Sequence, residues 1–213
     1  MNKLTLRLKT IVEELESVDT FADVGCDHGY VAEAMLSLGK CKFAYVTDVS
    51  AVCLKKAEAL LGRTQTGKFK AIVTDGLKGV PKVDQVLIAG MGGELICDIL
   101  QGADFLPERL VLQPMKNADK VRKSVINLGY RLIKDYTFKD VKYYDLIVCV
   151  KGQDSYTEDE IEFGRDNLRQ KGDAFKEVIQ RKIAVLESAY ESAGQDEKKR
   201  LENLKRKYEE VIL

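Results

Sequence analysis

The chain has 213 residues, of which 45% are hydrophobic and 32% charged, which indicates one globular domain or one domain with a small appendage. Its 34 basic and 34 acidic side chains give a formal net charge of zero. Any RNA partner would therefore have to bind at a local basic patch. The 5 cysteines lack a C-x-x-C spacing, so we expect free thiols in a reducing cytoplasm. No apolar run approaches the ~18 residues of a membrane span, so we expect a soluble protein without membrane association.

The N-terminal segment predicts an amphipathic helix, because its apolar residues recur at helical spacing. These residues are Leu4, Leu8, Ile11, Val12, Leu15 and Val18. Arg7, on the same segment, is either a solvated surface charge or a contact to the carboxylate of a ligand.

Residues 20–30, with the sequence TFADVGCDHGY, combine an apolar strand, a glycine turn and the start of a helical pattern. This order is typical of a nucleotide-type ligand site at the carboxyl end of a parallel strand. Asp27 stands where a dinucleotide-binding turn has its middle glycine. A carboxylate there would repel a pyrophosphate but suit a cation, which disfavours a dinucleotide oxidoreductase. His28, the only histidine, is interpreted as a packing residue or a ligand contact rather than a general base.

Four further strand patterns alternate with helical patterns, as in a parallel α/β sheet. The strands are expected at residues 42–48, 69–74, 83–89 and 109–112, and the helices at residues 51–61, 94–100 and 116–128. Gly62 and Gly129 are expected to stop the first and the last of these helices. Three glycines within residues 90–93 cost chain entropy, and they suggest a backbone surface pressed against a ligand.

Two more strands, at residues 130–138 and 143–150, are separated by a short turn and predict an antiparallel pair. Five β/α units followed by this pair indicate an open, mostly parallel seven-stranded sheet with the last strand antiparallel. We assign residues 1–153 to this domain.

Residues 154–213 carry no strand pattern and predict a C-terminal helical coiled-coil hairpin, with its turn at residues 194–196. Its two basic runs, at residues 198–200 and 205–207, form either a solvated outer face or an arm that contacts phosphates.

Four aspartates fall at or near the ends of predicted strands, where parallel sheets bind ligands. They are Asp23, Asp27, Asp48 and Asp75. A ligand that joins a nucleoside to a positive charge suits such a rim, and S-adenosylmethionine carries both a sulfonium and an ammonium. Asp48, about 20 residues past the glycine turn, either binds ribose hydroxyls or caps the next helix. No spacing of His, Cys, Asp and Glu suits zinc or a P-loop magnesium ion, so no metal is expected.

The chain resembles the class I S-adenosylmethionine-dependent methyltransferases, and more closely the bacterial tRNA adenine-N1 methyltransferases that modify adenosine 22 in the D-loop. The resemblance spans nearly the whole chain, including the C-terminal hairpin. It rests on residues 6–8, 22–30, 47–50, 74–77, 88–93 and 112–114. The resemblance implies a Rossmann-like methyltransferase fold, S-adenosylmethionine as cofactor and tRNA as partner, with no obligate protein partner and a monomeric state.

The resemblance also implies roles for individual residues. Those expected to bind the cofactor are Arg7, Asp23, Gly25, Asp27, His28, Gly29, Asp48, Asp75, Gly76, Ala89 and Gly90. Those expected around the transferred methyl and the target base are Tyr30, Gly92, Gln113 and Pro114. Apart from the resemblance, we expect RNA contacts at Lys116 and, in the two basic runs of the hairpin, at Lys198, Arg200, Lys205 and Arg206.

The expected reaction is in-line attack of N1 of a flipped adenine on the sulfonium methyl. Adenine N1 is already unprotonated near neutral pH, so positioning rather than a general base is required. The fourth strand ends in Ala-Gly-Met-Gly-Gly and lacks the Asp/Asn-Pro-Pro-aromatic segment of several amino-nitrogen methyltransferases, which favours a ring nitrogen. Two alternatives stay open: the same fold acting on another nucleobase, a small molecule or a protein, and a non-catalytic module that binds the cofactor or a protein partner.

Overall fold

One mixed sheet forms the centre of the protein in a computed structural model, which describes residues 4–213. Its strands are β1 Val18–Val24, β2 Cys41–Asp48, β3 Phe69–Val73, β4 Gln85–Met91, β5 Arg109–Pro114, β6 Tyr130–Lys139 and β7 Tyr143–Lys151. The helices are α1 Leu6–Glu14, α2 Tyr30–Ser37, α3 Ala51–Thr64, α4 Gly93–Gln101, α5 Ala118–Asn127, α6 Glu158–Phe163, α7 Arg165–Gln170, α8 Asp173–Ser192 and α9 Gln195–Ile212.

The seven strands lie in the order β3-β2-β1-β4-β5-β7-β6. Neighbouring strands from β3 to β5 pair in parallel, whereas β7 is antiparallel to both β5 and β6. The predicted mostly parallel sheet with an antiparallel last strand is therefore confirmed. β7 inserts between β5 and the edge strand β6, so its first residues return to the carboxyl end of β5.

The core has two apolar layers, one on each face of the sheet. Helices α1, α2 and α3 cover one face, with Ile11, Met35 and Leu61 fully buried against it. Helices α4 and α5 cover the other face, with Ile96 and Val121 fully buried. This two-sided burial explains why the central strands have nearly continuous apolar sequences rather than an alternating pattern.

Three predicted helix bounds are wrong for local reasons. The first helix ends at Glu14 rather than continuing to Val18, because Leu15 is already extended and Val18 begins β1. Gly62 does not stop α3, which continues to Thr64, since one exposed glycine inside a helix costs only about 1 kcal/mol. Helix α5 begins at Ala118 because Asn117 has a left-handed backbone, with φ 57°.

The C-terminal segment contains the expected hairpin, formed by α8 and α9, preceded by the short helices α6 and α7 that periodicity did not predict. The turn is shorter than expected, since Gly194 already caps α9. Phe163, Phe175 and Ile179 form a small separate core. No helix within residues 4–213 is long and apolar enough to cross a membrane. The division of the chain at residue 153 stays a prediction.

A buried polar junction fixes these helices to the sheet. Arg122 on α5 donates from Nε to both carboxylate oxygens of Asp135 on β6, at 2.9 Å each, and both side chains are 1% exposed. Its Nη1 also donates to the carbonyls of Ile161 and Glu162 in α6. The guanidinium thus joins three elements around one buried charge pair.

Candidate active site

The candidate site lies where the order of the strands reverses. From β1 the chain moves outward to β2 and β3, then returns to place β4 beside β1 and continues to β5. Loops that follow β1 and β4 therefore leave the sheet in opposite directions, which opens a crevice at the carboxyl ends of these strands. The residues predicted to bind the cofactor come from the loops and strand ends at this edge, except Arg7 on α1.

The turn after β1 needs three positive backbone angles in a short stretch. Gly25, Asp27 and Gly29 have φ values of 70°, 46° and 71°. A Cβ on Gly29 would lie 2.9 Å from the Cβ of Ala57, so glycine allows the turn to pack on α3. The backbone N–H of Gly25 donates to the carbonyl of Thr47 at 2.8 Å, which joins the turn to the end of β2.

The carboxylate of Asp27 is exposed at this turn, close to the ammonium group of Lys56 and the imidazole of His28. Its oxygens lie 3.7 Å from Nζ of Lys56 and 3.5 Å from Nε2 of His28. The His28 ring stacks on Tyr30, with centroids 5.2 Å apart and planes inclined by 6°. Tyr30, His28 and Asp27 thus form one wall of the crevice.

Asp23 is the buried acid of the site. It is the penultimate residue of β1, two positions before Gly25. Burial raises the pKa of its carboxyl to about 7, while an N–H donated by Ala32 acts to lower it. A positive ligand nearby would favour the ionised carboxylate, so the group is suited to respond to a cation.

The ends of β2 and β3 present two further carboxylates. Asp48 accepts at Oδ1 from the N–H of Ser50 at 2.7 Å, while the Ser50 side chain caps α3. Asp48 therefore orders the turn before the helix through one of its two carboxylate oxygens. Asp75 lies 3.2 Å from Nζ of Lys78, beside a cavity of about 280 Å³. Gly76, with φ 69°, brings the backbone against Ile99.

The glycines at the end of β4 and directly after it serve different purposes. Gly90, with φ 79°, faces Arg7, because a Cβ there would lie 2.9 Å from Nη2 of the guanidinium. A Cβ on Gly93 would lie 2.3 Å from the carbonyl oxygen of Asn117, so the loop after β5 makes the close approach there. The expectation that all three glycines face a ligand is therefore wrong at Gly93. Met91 lies against Gly25, so the end of β4 packs on the turn after β1.

Arg7 and Gln113 meet at the end of β5. Nε of Arg7 donates to Oε1 of Gln113 at 2.7 Å, and Nε2 of Gln113 donates to the carbonyl of Pro114 at 2.9 Å. The backbone N–H of Arg7 donates to Asp140 at 3.0 Å, and its guanidinium lies over the ring of Tyr144, 5.4 Å from the centroid. The Arg7 side chain is thus partly buried against Gln113 and Tyr144, which disfavours its interpretation as a solvated surface charge.

Asp140, Tyr144 and Lys56 have no place among the predicted site residues. Tyr144 and Asp140 reach the site because β7 runs antiparallel and its preceding turn lies at the carboxyl end of β5. The aromatic pair Tyr143 and Tyr144, directly after the predicted turn, was the available sequence signal. For Lys56, the sequence offered no sign of a role at the site beyond its position on the helix that faces the turn.

The predicted RNA contacts fall into two places. Lys116 follows β5 directly and lies beside Gly92, at the rim of the crevice. The others lie on α9, where the expected outer face is only partly correct. Lys205 pairs with Glu187 of α8 at 2.7 Å, and Lys207 pairs with Asp159 and Glu162. Of the predicted contacts on α9, Arg200 and Arg206 remain exposed, as does Lys116 after β5.

The cysteines are free, with Cys26, Cys41 and Cys149 buried. Burial is the largest influence on the Cys26 thiol and, with the neighbouring Asp23 and Asp48 carboxylates, raises its pKa, so this residue of the turn stays a neutral thiol. Within residues 4–213, no group of three or more His, Cys, Asp or Glu side chains is arranged to hold a metal ion.

Comparison with known proteins gives one family. Residues 21–212 match the family model described as TrmK, tRNA (adenine(22)-N(1))-methyltransferase. A Bacillus subtilis protein named tRNA (adenine(22)-N(1))-methyltransferase is 28% identical over 206 residues, covering 91% of this chain and 87% of the relative.

Solved structures agree on the fold. A Streptococcus pneumoniae protein in complex with S-adenosyl-L-methionine superposes with a TM-score of 0.90 at 24% identity, covering 99% of this chain and 100% of that one. M. capricolum TrmK in complex with S-adenosyl-homocysteine gives a TM-score of 0.87 at 24% identity, covering 99% of each chain.

Proposed function

This chain belongs to the TrmK family of tRNA (adenine(22)-N(1))-methyltransferases, and on that premise we propose how its residues carry out the reaction. The protein transfers a methyl group to N1 of adenosine 22 in tRNA, and its methyl donor is S-adenosyl-L-methionine. The donor supplies an electrophilic methyl group on a positively charged sulfur. The relatives crystallised with S-adenosyl-L-methionine and S-adenosyl-homocysteine support this assignment of the donor.

The residues at the carboxyl edge of the sheet fit this donor. Positive backbone angles at Gly25, Gly76 and Gly90 bring main chain rather than side chains to the crevice. Asp48 offers a free carboxylate oxygen for ribose hydroxyls, and Asp75 offers an acceptor for the adenine amine. Asp23 and Asp27 supply negative charge near the sulfonium and ammonium, while the Arg7 guanidinium suits the donor's carboxylate.

The base is expected to enter beside Gln113 and Pro114. Tyr30 and Gly92 flank this entrance from the β1 and β4 loops. Nothing needs to remove a proton from N1 before attack, so the residues act by holding the base in line and excluding water, an effect worth ~7–11 kcal/mol in favourable cases. The positive charge passes from the donor sulfur to the adenine ring, so the net charge of the crevice is unchanged and no proton leaves.

The hairpin is the proposed tRNA arm. Arg200 and Arg206 on α9 would contact phosphates, with Lys198 and a partly neutralised Lys205 beside them, while Lys116 meets the backbone next to the flipped nucleotide. We propose that the protein acts in the cytoplasm as a monomer without an obligate protein partner.

One observation carries the proposal: Arg7, Gly90 and Gln113 converge at the end of β4 and β5, across the crevice from the acidic strand ends. The test is incubation of the protein with labelled S-adenosyl-L-methionine and unmodified tRNA, followed by nucleoside analysis by mass spectrometry. We expect 1-methyladenosine as the labelled product. Label in another nucleoside, or in the protein, would favour one of the other methyltransferase functions.

A further inference from the structure

The amide of Gln113 has a single possible orientation. Arg7 is only a donor, and it approaches one end of the amide at 2.7 Å, while the carbonyl of Pro114 is only an acceptor and lies 2.9 Å from the other end. The first contact requires oxygen and the second requires nitrogen, so the network itself assigns the amide. Gln113 therefore presents an acceptor oxygen toward Arg7 and cannot present its NH2 group there.

Arg7 is held in this contact by two other residues. Asp140 accepts from its backbone N–H, and the ring of Tyr144 supports its guanidinium. Tyr144 is in turn packed against Phe138, with ring centroids 5.6 Å apart. Gln113 is 0% exposed, so its oxygen is a buried acceptor whose partner is an N–H of the protein. If a ligand draws Arg7 away, this buried oxygen needs another N–H group as its hydrogen-bond partner, because leaving it unpaired is costly.

We propose that Gln113 selects adenine by accepting a hydrogen bond at Oε1 from the 6-amino group of the target base, in the position that Arg7 Nε holds in the cofactor-free protein. This inference rests on the proposed function and identifies the group that orients the base. The 6-amino group is adjacent to N1 on the same edge of the ring, so fixing the amine turns N1 toward the methyl group. Guanine presents an oxygen at this position and would face the Gln113 oxygen, which excludes it.

Arg7 has a better partner once the donor is bound. The contact to Gln113 joins the guanidinium to one neutral amide oxygen, whereas the donor's carboxylate carries the opposite charge and can accept two parallel N–H bonds from the guanidinium. Arg7 lies over Gly90, which the methyl donor is expected to cover. A short movement of the guanidinium would therefore take it from Gln113 to the carboxylate of the methyl donor. Arg7 and Tyr144 are accordingly positioning residues, and Gln113 is the residue that contacts the base.

The test combines a base change with a protein change. Adenosine 22 is replaced by unsubstituted purine riboside, which keeps N1 and lacks the 6-amino group, and Gln113 is replaced by Met, which keeps the length of the side chain and lacks an acceptor oxygen. kcat/KM is measured for both tRNAs with both proteins. For the protein with Gln113 intact, we expect loss of the 6-amino group to lower kcat/KM about 10-fold or more, because the buried Gln113 oxygen is then left unpaired. For Gln113→Met the two tRNAs should differ much less.

A general defect of folding or positioning would lower activity on both tRNAs equally and leave their ratio unchanged, which would overturn the inference. The ratio of tRNA dissociation constants in saturating S-adenosyl-homocysteine gives the same comparison without catalysis. Gln113→Asn, whose oxygen is drawn back by one methylene, serves if the Met variant does not fold, and it should also lose the preference. If unsubstituted protein fails to methylate normal tRNA, the proposed function itself is wrong. If it methylates normal tRNA and Gln113→Met keeps the full amine preference, only the role of Gln113 is wrong.

Discussion

At the scale of single residues, charge at the strand ends decides whether the donor binds. Asp48 has two tasks in the structure, because one oxygen orders the turn at Ser50 and the other is free for a ribose hydroxyl. Replacement by Asn keeps an acceptor for the turn and removes the charge. The substitution therefore separates the two tasks better than replacement by Ala does.

We expect Asp48→Asn to weaken binding of S-adenosyl-homocysteine about 10-fold or more, because hydrogen bonds to charged groups contribute ~1.5–3 kcal/mol. Isothermal titration calorimetry measures this change. Asp19→Asn is the matched control, since Asp19 is a carboxylate near the opposite end of the strands, paired with Lys42 at 2.7 Å. If both variants bind S-adenosyl-homocysteine with equal affinity, Asp48 does not contact the ribose.

Asp23 predicts a dependence of stability on pH. Its pKa is raised from 3.8 to about 7 by burial, so between these values the folded protein keeps a proton that the unfolded chain has released. The unfolded state then binds fewer protons, and the contribution of Asp23 to the free energy of unfolding falls as pH rises from about 4 to about 7. Above pH 7 the folded protein holds an unfavourable buried charge.

Asp23→Asn removes this titration. We expect the cofactor-free variant to have a higher thermal midpoint than the unsubstituted protein at pH 8, with a smaller gain or a loss at pH 5, since the unsubstituted carboxyl is neutral there. Thermal unfolding followed by circular dichroism at both pH values makes the comparison. A difference that is the same at both pH values would show that the Asp23 charge is not the cause.

At the scale of the elements, the polar junction between α5, β6 and α6 helps to attach the C-terminal helices to the sheet. Arg122 and Asp135 are each 1% exposed. Removing one partner leaves the other as an unpaired buried charge, which typically costs 3–5 kcal/mol. The charge pair is thus expected to be far more sensitive to substitution than the many exposed pairs on the surface.

We expect Arg122→Met to lower the free energy of unfolding by about 3–5 kcal/mol in urea denaturation. Lys120 lies on the same helix and forms an exposed ion pair with Glu94 of α4, so Lys120→Met provides the comparison and should change stability little. The double variant Arg122→Met with Asp135→Leu should recover part of the loss, because neither charge then remains buried. A loss for Arg122→Met no larger than that for Lys120→Met would show that the junction is not a stabilising contact.

The elements also show how far the sequence alone could lead. Strands β1 to β7 follow from apolar runs between turn residues, and the turn around Gly25 follows from a contiguous motif. The end of α3 and the start of α5 depend instead on the backbone conformations of Gln65 and Asn117, which the sequence pattern does not reveal. The contact between Arg7 and Gln113 joins residues 106 positions apart, so no local pattern could predict it. Helices α6 and α7 are one or two turns long, too short for periodicity to reveal.

At the scale of the whole molecule, zero net charge leaves tRNA binding to local groups. The hairpin supplies fewer free cations than its sequence suggests, because Lys205 and Lys207 are paired with carboxylates. Arg206 is exposed, and Lys116 lies at the rim of the crevice.

We expect Arg206→Gln and Lys116→Gln each to weaken tRNA binding and to reduce the slope of log K against log salt by about one unit, the effect of losing one phosphate contact. Lys205→Gln should have a smaller effect, since Glu187 already offsets its charge. Lys42→Gln, at the opposite end of the strands, is the control and should leave the slope unchanged. An unchanged slope for Arg206→Gln would assign α9 to a solvated face.

The central claim is that the carboxyl edge of the sheet, between the acidic strand ends and Gly90, holds the methyl donor. The most direct measurement is a crystal structure of the protein with S-adenosyl-homocysteine. The account predicts ribose hydroxyls at Asp48, adenine beside Asp75 and Gly76, and the sulfur over Ala89 and Gly90, with the Gln113 end of β5 facing it. A product molecule bound elsewhere, or one with neither Asp48 nor Asp75 within contact distance, would contradict it.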